Sequence, residues 1–254
     1  MLTKRIIPVL LLRNGALVKT RRFGKFDYIG DPCNTLRIFN ELEVDELFLL
    51  DIDASRIGRL PDFNLLDEIS DECFMPLGYG GGITSLDLAK RVFDSGFEKV
   101  SLNSSALDNP SLITEIANHF GSQSVILSID VKKGLMGKLS VFSHSGKNRW
   151  AISPESWAKR GQELGCGEIL LTSIDREGTW SGFDLDLVRK VVEVVDLPVI
   201  AHGGAGGMEH ISTVLGESGA SAVALGSMVV YQKKDMGVLV NFPDKAELSV
   251  ALKK

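Results

Sequence analysis

Eight short apolar runs, each followed by a more polar, amphipathic stretch, recur along this 254-residue chain, and that alternation restricts its fold more than any other feature. The runs are RIIPVLLL (5–12), ELFLLDID (46–53), MPLGY (75–79), KVSLN (99–103), SVILSID (124–130), EILLTSID (168–175), PVIAHGG (198–204) and AVALGS (222–227). Strands so continuously apolar belong to parallel sheets covered on both faces. The stretches between them begin as helices do. Asp31-Pro32, Asn109-Pro110 and Ser153-Pro154 each set a capping side chain before a proline at the first helical position. Thr84 with Asp87 reads as a capping box in which Asp replaces Glu. Leu112, Ile113, Ile116, Ala117 and Phe120 form one apolar stripe at helical spacing, and Val188, Val191, Val192 and Val195 form another. Eight strand–helix units in one chain of this length predict a closed (β/α)8 TIM barrel over residues 1–254, with an open doubly wound sheet as the alternative.

An internal repeat favours the barrel. PLGYGGG (76–82) matches PVIAHGG (198–204), 122 positions later. At the same offset LLDID (49–53) lies over LTSID (171–175), pairing Asp53 with Asp175, and NSSA (103–106) over LGSM (225–228), pairing Ser105 with Ser227. IIPVLLLRNG (6–15) matches VILSIDVKKG (125–134) at an offset of 119. Two half-barrels, roughly 1–121 and 122–254, each with four strands, close as eight. The last offset also sets Leu11 against Asp130, so an aspartate at a strand's end in the second half has a leucine for its counterpart in the first.

Bulk properties narrow the function. The net charge is −5 and the basic residues are scattered, which argues against a nucleic-acid surface while leaving room for a small anionic ligand. Cys33, Cys73 and Cys166 are odd in number and far apart, as expected of buried thiols in a reducing cytoplasm. The apolar run at the start ends at Arg13 and is too short for a signal peptide or membrane span. His119, His144, His202 and His210 show no ligand spacing, so no metal is expected, and there is no GxSxG for acyl transfer.

In such a barrel the chemistry collects where the strands end. Gly81 and Gly82 after the third strand, and Gly203 and Gly204 after the seventh, let the backbone approach a ligand ahead of a helix N-terminus. With Ser104 and Ser105 after the fourth strand, and Gly226 and Ser227 after the eighth, they outline two anion sites facing each other across the mouth, and so a ligand with two phosphates; the alternative is a set of tight turns. Candidate acids and bases are Asp130, Asp51, Asp53 and Asp175, any of which can instead cap a loop. Asp51 and Asp53 are two apart and expected on one side. Lys19 lies in a polar loop of about 18 residues that reads as a mobile lid without structure of its own. At the opposite end, Arg5, Glu46, Lys99 and Glu168 stand at strand beginnings and either solvate them or pair into a ring.

These residues resemble the cyclase subunit family of imidazole glycerol phosphate synthase over nearly the whole chain. The resemblance is most specific in MLTKRIIP, GDP (30–32), DELFLLDIDAS, PLGYGGGI, KVSLNSSA, ITEIANHFGSQ, GEILLTSIDREGTWSGFDLDL and PVIAHGGAG. It implies a barrel that docks a glutaminase at the strand-beginning face and takes up ammonia there. At the other face a doubly phosphorylated aminocarboxamide ribonucleotide is cleaved and cyclised, with no cofactor. It places an ammonia gate on Arg5, Glu46, Lys99 and Glu168, a loop lysine on Lys19, and phosphate contacts on Gly82, Asn103, Ser104, Gly203, Gly204, Gly226 and Ser227. One of the family's two essential aspartates falls on Asp130; the other falls on Leu11. The sequence also departs from the family at Asp53 (usually Thr), Gly78-Tyr79 (Thr-Val), His202 (Ser) and the segment HSGKNRWAIS (144–153).

The gate charges are kept while a proton-transfer group is lost, and such a group is typically worth about 10²–10⁴ in rate. This pattern resembles barrel subunits that pair with a dedicated glutaminase and supply ammonia for amidation of bacterial surface sugars, with a synthetase-like partner using the ammonia. Two alternatives stand beside it. One is a working cyclase of histidine biosynthesis in which Asp53 or Asp51 substitutes for the lost acid. The other is a sugar-phosphate isomerase or phosphate-binding barrel without an ammonia partner.

Overall fold

The structure, a computed structural model, describes residues 4–134, 137–244 and 247–248. Residues 1–3, the head of the MLTKRIIP stretch, lie outside the described residues. Eight strands close a parallel barrel: β1 (Arg5–Arg13), β4 (Leu47–Asp51), β5 (Leu77–Gly80), β6 (Lys99–Leu102), β7 (Val125–Lys133), β10 (Glu168–Ser173), β11 (Val199–His202) and β12 (Ala222–Leu225). Each pairs in parallel with its neighbour, and β12 pairs with β1 to complete the circle. The open doubly wound alternative is thereby ruled out.

The side chains of a barrel strand alternate between the interior and the surrounding helices. Ile7, Val9, Leu11, Phe48, Ile126, Leu170, Ile200, Ala222 and Ala224 form the inner core. The other faces join a larger core beneath the helices α1 (Pro32–Glu41), α3 (Phe63–Asp71), α4 (Leu86–Asp94), α6 (Ser111–Phe120), α7 (Pro154–Leu164), α8 (Leu185–Val192) and α9 (Met208–Glu217). The shorter α2 (Ala54–Ile57), α5 (Ser104–Asp108) and α10 (Ser227–Val230) follow β4, β6 and β12 directly.

Local chemistry accounts for most helix starts. Asp31 caps the Asn34 N–H and Ser153 the Ser156 N–H, each one residue ahead of a proline at the first helical position. Two expected caps differ. Ser85, not Thr84, caps α4 through the Leu88 N–H, because α4 starts at Leu86. Asn109 caps nothing: α6 starts at Ser111, whose hydroxyl donates to the Asn109 side chain.

The long loop after β1 is not without structure. It runs back antiparallel on β1 as β2 (Ala16–Thr20), and β3 (Phe26–Gly30) pairs with β2. The chain after β7 does the same with β8 (Leu139–Ser143) and β9 (Asn148–Trp150). Each half therefore opens on a three-stranded hairpin unit that rises from the barrel wall. Leu17, buried in the outer core, and Val18, buried in the inner core, hold the first of these in place from both faces of β2.

Strand ends refine the repeat. β5 and β11 superpose at the offset of 122. β6 and β12, and α5 and α10 after them, match at 123. Ser227 therefore corresponds to Ser104, and the Ser105–Ser227 pairing is one residue out of step.

Candidate functional site

At the strand-beginning end, Arg5, Glu46, Lys99 and Glu168 close into a ring. Arg5 meets Glu46 at 2.7 Å and Glu168 at 3.1 Å, while Lys99 meets the same two carboxylates at 2.6 and 3.2 Å. Every charge in the ring touches two of opposite sign, which offsets the cost of drawing four charges into a barrel end. Burial disfavours the Arg5 charge, but Glu168 and Glu46 outweigh it and raise its pKa.

Just inside the ring, Phe48 fills the space left by Gly78. A Cβ on Gly78 would lie 2.6 Å from the Phe48 ring, so the glycine, one of the departures from the family pattern, is needed for that packing. Tyr79, its neighbour, points the other way and is wholly buried among the outer core residues, edge-on to Phe97.

At the strand ends, the outermost inward-facing layer comprises two runs of four register partners, one from each half. In the first half Leu11, Leu50, Gly80 and Ser101 are successive partners across β1, β4, β5 and β6. In the second half Asp130, Thr172, His202 and Ala224 are successive partners across β7, β10, β11 and β12. The Leu11–Asp130 asymmetry thus extends to the neighbours: Leu50 stands where the second half has Thr172, and Gly80 where it has His202. Among these inward positions, only the second half carries titratable groups.

A cavity of about 370 Å³ opens above this layer. Its lining takes in Leu11, Asp51, Asp53, Gly81, Gly82, Asn103, Ser104, Asp130 and His202, together with Thr172 and Glu177. The Asn103 amide donates to the Ser128 and Phe142 carbonyls at 3.1 and 3.2 Å, and to Asp130 at 3.4 Å. Desolvation at the base of the mouth lifts the Asp130 carboxyl to about 7, against a hydrogen bond from Thr172 and with a further push from Glu177. Thr172 Oγ1 lies 3.1 Å from His202 Nδ1. Burial, with the nearby Lys19 charge adding to it, lowers the His202 imidazole to about 4, so it is neutral at pH 7.

Lys19 belongs to β2 and is buried in an ion pair with Glu177. Glu177 also accepts from the Thr20 hydroxyl at 3.1 Å and the Phe23 N–H at 3.2 Å, while its carbonyl accepts from the Arg22 N–H at 2.9 Å. One carboxylate thereby fastens the first hairpin to the turn after β10, so the expected lid is a clasped element here.

The other aspartates are engaged by loop structure. Asp51 ends β4 and its Oδ1 accepts the N–H groups of Asp53 and Ala54, while Arg59 holds Oδ2 at 2.7 Å. Asp53 sits in the turn beyond, paired with Arg13 at 2.6 Å and Arg56 at 3.0 Å. Burial works against the Asp53 charge, but the two arginines prevail and lower its pKa. Strand alternation does not relate Asp51 and Asp53, because β4 ends at Asp51, yet both line the main cavity. Asp175 lies outside the cavity and accepts the Lys133 N–H at 2.8 Å.

The residues expected at the two anion sites are distributed over two cavities. Gly81, Gly82, Asn103 and Ser104 line the main cavity, whereas Ser227 lines a second one of about 390 Å³ with Arg21, Tyr231 and Lys234. Thr20 borders both, because β2 rises between them. Gly203, Gly204 and Gly226 border neither of these cavities. The Ser104 hydroxyl is already in use, accepting the His144 N–H at 3.0 Å. That contact, with the Ser145 hydroxyl bonded to the Ile52 carbonyl, draws the divergent 144–153 segment over the mouth.

Gly204 shows how closely these turns are packed. With φ at +108°, a Cβ there would lie 2.1 Å from the Gly182 carbonyl oxygen. Among the described residues, no group of three or more His, Cys, Asp or Glu is placed to hold a metal ion.

Sequence reasoning passed over Thr172 and Glu177. Counting by two from Glu168 puts Leu170 and Thr172 on the inward face, so Thr172 was accessible to periodicity. Glu177 follows the strand in a turn, and no periodic signal reaches it.

The histidine biosynthesis protein family pattern matches residues 5–235. The chain is 50% identical over 98% of its length to the whole of a Pseudomonas aeruginosa protein named "Putative imidazole glycerol phosphate synthase subunit hisF2". It is 44% identical to a similarly named HisF protein of Leptospira interrogans, covering 97% of this chain and 98% of that one. Imidazole glycerol phosphate synthase subunit HisF of Alkaliphilus metalliredigens is 41% identical, with 92% of each chain covered. The chain therefore belongs to the histidine biosynthesis protein family, as a HisF-like (β/α)8 barrel.

Proposed function

We propose that this barrel is the ammonia-receiving subunit of a cytoplasmic glutamine amidotransferase complex, in which the family's cyclisation chemistry has been lost. A glutaminase docks on the strand-beginning face and delivers ammonia at the ring of Arg5, Glu46, Lys99 and Glu168. The ammonia passes along the barrel axis and serves amidation of a bacterial surface sugar, handed on by a synthetase-like partner. A phosphorylated small molecule binds at the strand-end face, at the glycine turns Gly81-Gly82 and Gly203-Gly204, with Lys19, Asn103, Ser104, Gly226 and Ser227 beside them.

The observation that carries this reading is the combination of an intact charge ring with Leu11 at the inward position opposite Asp130. A leucine transfers no proton, and the candidate substitutes are occupied: Arg59 and two N–H groups hold Asp51, and Arg13 and Arg56 hold Asp53. This disfavours a working cyclase that draws on either residue.

The test of partnership is co-purification of the barrel with its cognate glutaminase, followed by glutamine hydrolysis with and without the barrel. Stimulation that weakens in Glu46→Gln supports the reading. A barrel that neither binds nor stimulates a glutaminase contradicts it and favours an isomerase or binding barrel.

A further inference from the structure

Asp130, Thr172 and His202 stand at one level on three adjacent strands, as direct partners across β7, β10 and β11. Thr172 Oγ1 reaches His202 Nδ1 at 3.1 Å, and Thr172 is the register partner of Asp130 and acts to hold that carboxyl's pKa down. The far nitrogen, Nε2, lies on the side of Gly226 and Lys19: a Cβ built on Gly226 would sit 3.8 Å from Nε2 and 3.5 Å from the Lys19 ammonium. The resemblance to the cyclase family implies a serine at this position, and the chain has a histidine there.

We propose that Asp130, Thr172 and His202 form a proton relay that presents the acid–base capacity of Asp130 at His202 Nε2, beside Lys19, toward an anionic oxygen of the bound ligand.

The hydroxyl of Thr172 has one proton, and this makes the two ends interdependent. With Asp130 ionised, Thr172 donates to the carboxylate, His202 donates its Nδ1–H to Thr172, and Nε2 carries the lone pair. With Asp130 protonated, the carboxyl donates to Thr172, Thr172 donates to Nδ1, and Nε2 carries the hydrogen. A proton arriving at Nε2 therefore displaces one from Nδ1 to Thr172 and one from Thr172 to Asp130. One proton is gained overall, and the imidazole is neutral before and after. Because Asp130 is lifted to about 7 and His202 lowered to about 4, the neutral ring with a protonated carboxyl is favoured over an imidazolium with a carboxylate.

The charged groups facing the triad are Lys19 from β2 and Glu177 from the turn after β10. Ala224 of β12 and Gly226 beyond it bring no charge, and Asn103 beyond β6 brings a neutral amide. The other charged groups on the cavity wall are Arg13, Lys25, Asp51, Asp53, Arg56 and Lys147. With Nε2 protonated, it and Lys19 both favour an anionic oxygen; with Nε2 bare, its lone pair opposes one.

The relay is testable without knowing the natural ligand or the partner subunits. Full-length protein labelled with ¹⁵N in the histidine rings reports which nitrogen carries hydrogen, and His202→Gln assigns the His202 signals. His202 is expected to change from the Nε2–H to the Nδ1–H tautomer as pH rises through about 7, with no imidazolium above about pH 5. Thr172→Ser should keep the exchange and Thr172→Val should abolish it, each with the folded spectrum intact. Asp130→Asn provides a second break if Thr172→Val does not fold. Sulfate, whose charge is constant over this range, should move the midpoint upward in proportion to its binding. One tautomer throughout, an ordinary imidazolium titration near 6.5, or an exchange that survives both Thr172→Val and Asp130→Asn overturns the relay. A midpoint that sulfate leaves unchanged overturns the ligand assignment.

Discussion

Leu11 and Asp130 occupy corresponding inward positions at the mouth, yet Leu11 is paired with Leu50 and Val18 while Asp130 is paired with Thr172 and Phe142. The duplicated barrel has thus kept its backbone symmetry and given its two walls different chemistry. Leu11 is 7% exposed and packs with Val18, Phe48 and the partly buried Leu50 and Ile52. Leu11→Asp would place a carboxyl among these apolar side chains. We expect a loss of about 2–4 kcal/mol in a denaturant titration, from lost apolar burial and unpaired polarity, with the new carboxyl's pKa raised.

Asp130 and His202 shape the pH dependence of stability in opposite directions. Asp130 is raised in the fold, from 3.8 to about 7, so between those values the native state holds a proton that the unfolded chain has released. Stability from this group is full below about pH 4 and is lost as pH rises to about 7. His202 is lowered from 6.5 to about 4, so its stabilising contribution is present above about 6.5 and is lost as pH falls toward 4. In thermal melts, Asp130→Asn should gain stability relative to wild type as pH rises from 4 to 7. His202→Gln should lose least, or gain, at the acid end.

Lys19 and Glu177 are the most deeply buried ion pair at the site, at 4% and 1% exposure. Glu177→Gln keeps an oxygen for Thr20 and Phe23 but leaves the Lys19 charge uncompensated. A cost of about 3–5 kcal/mol is expected. Amide exchange should rise first in the 16–30 hairpin, which Glu177 clasps, before the barrel strands respond.

Gly204→Ala would force a Cβ against the Gly182 carbonyl in a left-handed conformation. Destabilisation of about 3–5 kcal/mol is expected in a urea titration. Gly216→Ala, in α9 with open space around its Cβ, should be neutral to slightly stabilising and serves as the control.

The fold was legible because its signal is periodic: eight apolar runs and a duplication leave few other ways to bury the strands. The charge ring was legible for the same reason, since all four residues stand at strand beginnings where a barrel brings them together. Strand ends were not, because the runs pass without a break into turns. Asp51 and Asp53 read as one strand face when one ends β4 and the other lies in the turn beyond it. Hairpin β2–β3 was hidden by its polar, glycine-containing tip, although Leu17 and Val18 are as buried as barrel residues. Glu177 was invisible because its role depends on Lys19, 158 residues away in the chain. Only closure of the barrel brings the two together.

The central claim, that the lost carboxylate at position 11 removes cyclisation, is tested most directly by one assay. Purified barrel is supplied with ammonium salt and the aminocarboxamide ribonucleotide, and imidazole glycerol phosphate is measured beside an ordinary HisF subunit. The expected rate is lower by at least about 10²-fold, the usual worth of a proton-transfer group. Turnover within a few fold of the ordinary subunit would contradict the account.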